Sequence, residues 1–201
     1  MNRNLPAVVL LFGALAAFCA QAAESSYERF DALVAMSDGV RLDASLYLPK
    51  QSSAVPLPLI VRHHGGGSSK ESPFDVQYAI KTVETNHFAV LMYSHRGHGI
   101  SEGFFDFFGP RTTQDFSDML DWIAANYGDR VDTDNVGSSG YSQGGGESLL
   151  PAINDTRVKG ACTRFCVNGH SAGNCRTSRS DHDRRTESDQ QPVTGWPAGR
   201  L

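Results

Sequence analysis

Residues Gly140-Tyr141-Ser142-Gln143-Gly144 constrain this chain more than any other stretch. A short apolar run, Asn135-Val136-Gly137, precedes them, and a helix-like stretch from Gly145 to Leu150 follows. A serine with a glycine two residues before it and another two after it is the pattern of a sharp strand-to-helix turn. The backbone of such a turn is strained, so its flanking positions must be small. The turn lifts the hydroxyl clear of the sheet and aims it outward. The amide of Gln143 and the helix start behind it can stabilise an oxyanion. Ser142 is therefore a candidate nucleophile. The alternative is a glycine-rich turn that happens to hold a serine.

The surrounding pattern supplies the strand and the helix that the turn needs. Arg29 to Met36 and Arg41 to Leu48 read as strands joined by the tight turn Ser37-Asp38-Gly39. Leu57 to His63 and Phe88 to Tyr93 are dense apolar runs of buried-strand type. Phe74 to Glu84 has helical spacing, with Pro73 at its start. Thr112 to Ala125 places Phe116, Met119, Leu120 and Ile123 on one helical face. A further strand begins near Arg157-Val158-Lys159-Gly160. Two hairpin strands followed by β-α units predict an α/β fold with a mostly parallel sheet and an antiparallel start.

His63-His64-Gly65-Gly66-Gly67 ends the third strand-like run. A glycine loop at this place can offer backbone N–H groups to an oxyanion, because glycine lets the backbone approach closely and adopt open dihedral angles. Gly65, Gly66 and Gln143 are therefore the candidate oxyanion donors. The alternative is a flexible loop, and the histidines support it rather than react. Arg96-Gly97-His98-Gly99-Ile100-Ser101-Glu102-Gly103 reads as a structural turn over the top of the sheet. It lacks the spacing of a phosphate cradle.

The chain has 201 residues and a net charge of −4, which gives no reason to expect a nucleic-acid partner. Residues 1–22 read as a signal peptide. Arg3 leads an apolar run from Leu5 to Ala20, and Ala20-Gln21-Ala22 fits cleavage after Ala22. The expectation is a secreted or periplasmic protein with no membrane attachment after cleavage. Residues 23–161 hold the strand and helix pattern. After Ala161 the pattern stops: residues 162–201 contain no Lys, Ile, Met or Tyr, and polar residues dominate. Such a segment buries too little apolar surface to offset its ordering entropy. Two readings stand, a disordered tail or an out-of-frame one. Cys162, Cys166, His170 and Cys175 come close to zinc-knuckle spacing but miss it in the first two gaps, so no metal site is expected. No cofactor motif occurs.

Taken together, Met36 to Leu42, Leu46-Tyr47-Leu48-Pro49, Arg96 to Gly103, Phe105 to Pro110, Asp115, Asp121-Trp122-Ile123 and Gly140 to Gly145 resemble the Xaa-Pro dipeptidyl-peptidase and cocaine-esterase-like α/β hydrolases. The resemblance covers residues 30 to about 161. It implies an α/β-hydrolase fold, cut after about its fifth or sixth strand. It also implies a serine nucleophile at Ser142, acyl transfer from ester or amide carbonyls, and small-molecule ester or peptide substrates. Some members place a tyrosine in the oxyanion loop, where this chain has His-Gly-Gly-Gly.

In this fold the acid and the histidine of the triad follow the serine on later strands. Asp155 or Asp181 as acid and His170 or His182 as base are candidates downstream, and none follows a strand-like run. The expectation is an exported serine hydrolase, inactive as this chain stands. The alternative is a non-catalytic remnant or binding module on the same scaffold.

Overall fold

The computed structural model describes residues 25–51, 53–167 and 170–177. The expected signal peptide and residues 178–201 lie outside them. The first two strands, β1 (Tyr27–Ala35) and β2 (Arg41–Pro49), form an antiparallel hairpin. Its turn closes through Met36 and Val40, with Gly39 at φ +85°. Then come β3 (Leu57–His63), α1 (Pro73–Asn86), β4 (Ala89–Tyr93) and α2 (Pro110–Tyr127). The chain continues through β5 (Val131–Tyr141), α3 (Gln143–Asn154), β6 (Val158–Val167) and β7 (His170–Thr177).

These strands form one sheet in the order β1-β2-β4-β3-β5-β6-β7. The four central strands β4, β3, β5 and β6 are mutually parallel, and the hairpin joins them antiparallel through β2 and β4. The mostly parallel sheet with an antiparallel start is thus the observed architecture. β6 runs on to Val167, and β7 pairs antiparallel with it, setting Cys162 opposite Cys175. Cys162 is disulfide-bonded, and a disulfide sulfur is not a thiolate ligand. Among the described residues no group of His, Cys, Asp or Glu could hold a metal ion, and no helix is long and apolar enough to cross a membrane.

The dense apolar strands lie where their composition demands, in the middle of the sheet. Leu59, Val61, Leu91 and Tyr93 face one side with Phe116, Met119, Leu120 and Ile123 of α2 packed over them. Val90, Met92 and Tyr47 face the other side against Ala79 and Val83 of α1. Ser72 caps α1 by accepting from the Asp75 N–H, and Pro73 opens the helix. With helices on both faces, the C-terminal ends of β3, β4 and β5 converge at one edge, where ligands sit in open α/β sheets.

The turn Arg96–Gly103 is held there by charge. Arg96 donates to both carboxylate oxygens of Asp115 at 2.7 and 2.6 Å, and to both of Asp38 at 2.8 and 3.0 Å. One buried guanidinium thereby ties the hairpin turn, the loop after β4 and helix α2 together.

Candidate active site

Ser142 stands between the end of β5 and the start of α3 with φ +55° and ψ −120°. A non-glycine residue takes this conformation only where its surroundings enforce it. The enforcement is visible at the flanking glycines. A Cβ on Gly140 would lie 1.9 Å from the Gly144 carbonyl oxygen, and one on Gly144 would lie 2.4 Å from that of His63. The chain folds back on itself here, and no side chain fits at either position. Ser142 is left exposed at the corner.

The glycine loop lies against this corner. The pairing of β3 with β5 sets His63 beside Gly140, so the residues after His63 cross next to the elbow. A Cβ on Gly66 would lie 2.8 Å from Gln143 Oε1, and one on Gly65 would lie 3.6 Å from the Tyr141 carbonyl oxygen. The structure therefore brings Ser142, Gln143, Gly65 and Gly66 together. The reasons for the loop glycines differ. Gly67 needs its left-handed φ of +70°, whereas Gly66 is needed for closeness to Gln143. Beside the elbow, a cavity of about 260 Å³ is lined by Arg62, Phe74, Tyr78, Tyr141 and neighbouring backbone.

The histidines of the loop are supports. His63 is buried, with its Nε2 3.1 Å from the Ser138 hydroxyl. Burial, reinforced by His64 and Arg62, holds its pKa down to about 3, so it is neutral at physiological pH. His64 Nδ1 lies 2.8 Å from the Gly65 carbonyl oxygen, and its Nε2 accepts the His95 backbone N–H at 3.1 Å. These two contacts require the Nδ1–H tautomer. The ring thereby braces the loop carrying Gly65 against the end of β4.

Of the downstream candidates, Asp155 lies away from Ser142. Asp155 caps the far end of α3, about 18 Å along the helix. It is paired there with Arg157 at 2.7 Å and accepts the Ser117 hydroxyl at 2.9 Å. The bond from Arg157 draws its pKa down to about 2. Asp181 and His182 lie outside the described residues, as does the side chain of His170.

The site also contains a group that the sequence did not single out. Glu147 on α3 is fully buried, and neither of its carboxylate oxygens has a hydrogen-bond partner among the described residues. Burial, with Asp106 and Asp115 adding repulsion, pushes its pKa up to about 8. Its charge also helps to push up the pKa of Tyr93, after burial, and the Tyr93 hydroxyl is itself unpartnered. Helical spacing from Gly144 and Pro151 is the sign in the sequence that this face turns inward.

A strained, exposed serine at a strand-helix corner, over a mixed sheet and beside a glycine loop, is set on an α/β-hydrolase scaffold. Residues 38–165 match the X-Pro dipeptidyl-peptidase (S15) family, and the chain belongs to that family. It is 35% identical over 127 residues to the quorum-quenching protein AidA of Acinetobacter baumannii. That match covers 61% of this chain and 39% of AidA. It also resembles the crystal structure of the hypothetical protein PA2218 of Pseudomonas aeruginosa, at 28% identity and a TM-score of 0.59, over 69% of this chain and 42% of that one. The Pyrococcus furiosus esterase Pf2001, at 19% identity and a TM-score of 0.56 over 67% of this chain and 50% of its own, shares the fold. The chain thus spans about two fifths of the length of AidA and of PA2218.

Proposed function

We propose that this chain carries the nucleophile half of an exported serine hydrolase acting on small-molecule esters or peptides. The Ser142 hydroxyl oxygen attacks the carbonyl carbon, a base takes its proton, and the ester C–O or amide C–N bond breaks to release the alcohol or amine and leave an acyl-enzyme. The amides around Gly65, Gly66 and Gln143 hold the oxyanion. The observation that carries this reading is the left-handed, exposed Ser142 with Gly66 pressed against Gln143. Membership of a family described as peptidases and likeness to a protein described as quorum-quenching agree with it.

The base and the acid are not part of the arrangement described. Among the described residues, His63, His64 and His98 make hydrogen bonds to Ser138, Gly65 and Arg96, and buried His95, its pKa held down by burial, is not hydrogen-bonded to Ser142. A serine lacking its base keeps only binding and oxyanion contributions and loses several orders of magnitude in rate. The chain alone is therefore expected to turn over little or no substrate. That same observation favours the second reading, a non-catalytic protein on the same scaffold.

A fluorophosphonate probe separates the two. Covalent labelling of the full chain that Ser142→Ala abolishes supports the nucleophile. Absence of labelling in protein with a cooperative melting transition supports the non-catalytic reading. Sequencing the mature N-terminus after export in a bacterial host tests cleavage after Ala22.

A further inference from the structure

Between Gly103 and Gly109 the sequence places four phenylalanines in five positions. Two of them, Phe107 and Phe108, take left-handed backbone at φ +47° and +69°. Consecutive bulky residues adopt this conformation only when held there. The hold is Asp106, which accepts the Arg111 N–H at 2.8 Å and the Thr112 hydroxyl at 2.6 Å at the start of α2.

What the turn achieves is the placement of rings. Phe107 and Phe108 meet edge to face at 4.9 Å, and Phe105 meets Phe107 at 5.7 Å. At one end of this arch Phe105 contacts His98 at 5.3 Å, and His98 contacts His64 of the glycine loop at 5.1 Å. At the other end the Phe108 ring lies on the first turn of α3. A Cβ on Gly146 would sit 2.6 Å from it. The Gly146 N–H in turn donates to the Ser142 carbonyl at 3.4 Å. The arch therefore spans from the glycine loop to the serine's helix. None of these rings belongs to either core cluster, and Phe107 is 71% exposed. An apolar surface kept open at such a place marks a ligand site.

We propose that Phe105, Phe107 and Phe108 form the wall that binds an apolar acyl chain of the substrate attacked at Ser142, an assignment that rests on the serine-hydrolase reading. Phe105 reaches the glycine loop through His98 and His64, and Phe108 packs on the first turn of α3, so an acyl chain leaving the carbonyl carbon on this side lies along the rings. The preferred substrates are esters or amides of medium-length apolar acids.

Titration calorimetry of the full chain with straight-chain carboxylates from butanoate to decanoate tests this. Binding needs no nucleophile, so fluorophosphonate labelling reports on the serine reading separately. Affinity is expected to rise by up to about fourfold per added methylene. Phe107→Asn, which keeps a residue tolerant of left-handed backbone, is expected to weaken decanoate binding about tenfold or more and to flatten the chain-length dependence. Phe107→Tyr is expected to retain both. Affinity independent of chain length, or an unchanged Phe107→Asn variant that remains folded by circular dichroism, overturns the proposal. Self-association that Phe107→Asn abolishes, without carboxylate binding, also overturns it in favour of a second copy as the occupant.

Discussion

Gly144, two residues after the exposed serine, packs directly on the carbonyl oxygen of His63, with 2.4 Å left for any Cβ. This contact joins the elbow to the end of β3 and sets the height of the helix start over the glycine loop. The corresponding distance at Gly66, 2.8 Å, is to the far end of the Gln143 side chain. Backbone cannot yield to a new methyl group, whereas a glutamine side chain can rotate away.

Two alanine substitutions should therefore behave differently. Gly144→Ala is expected to destabilise the chain by about 3 kcal/mol or more, or to prevent folding. Gly66→Ala is expected to cost under about 1 kcal/mol while displacing Gln143. Chemical denaturation of both variants checks the contrast, and similar losses would contradict it.

Glu147 makes stability fall as pH rises between about 4.5 and about 8. Its folded pKa of about 8 lies above the ordinary 4.5, so the native state binds the extra proton between the two. Its contribution is fully present below about pH 4.5 and is lost as pH rises through about 8. The expected loss over that window is about 3–5 kcal/mol. Glu147→Gln, neutral at every pH, should remove that slope. Melting temperatures of both proteins from pH 5 to 9 are the measurement.

His63 acts at the opposite limb. Its folded pKa of about 3 lies below the ordinary 6.5, so the unfolded chain takes up the proton first. Its stabilising contribution is present above about pH 6.5 and is lost as pH falls towards about 3. Proton titration of His63 followed by NMR should show no protonation at pH 5 while the chain stays folded.

Arg96 joins three parts of the scaffold through two carboxylates. Removing it leaves Asp115 buried beside the core without its counter-charge. Arg96→Ala is expected to cost about 3–5 kcal/mol. Arg96→Lys should recover only part, because an ammonium cannot make paired bonds to both Asp115 and Asp38. Urea unfolding of the two variants gives the comparison.

His64 can be tested through the serine's reactivity. Its ring braces Gly65 against the end of β4. His64→Ala is expected to slow fluorophosphonate labelling of Ser142 by about 10- to 100-fold, and to cost about 1–3 kcal/mol because it leaves the His95 N–H buried without its acceptor. An unchanged labelling rate would separate the brace from the site.

The elements most legible in the sequence were those with the strongest local pattern. Leu57–His63 reads as a strand because a central parallel strand is apolar on both faces. Helix α2 reads from the spacing of Phe116, Met119, Leu120 and Ile123. The elbow reads from its glycines, because a steric demand of 1.9 Å at Gly140 leaves no other residue possible. β7 was not legible, because its composition has no apolar alternation and its partner β6 supplies the pairing. Glu147 and the Phe108 contact with Gly146 were also hidden. A carboxylate usually marks a solvated face, and a contact across 38 positions leaves no local trace.

From the sequence alone came the α/β order, the parallel centre with its antiparallel start, the serine at the corner and the glycine loop facing it. These follow from local periodicity and from steric rules that act over a few residues. Tertiary structure decided what surrounds the Gly-Tyr-Ser-Gln-Gly turn. It set His64 as a brace, buried Glu147 behind the serine and laid the phenylalanine arch between the glycine loop and helix α3. Those outcomes depend on which strand ends converge, and convergence is a property of the whole sheet rather than of any one segment.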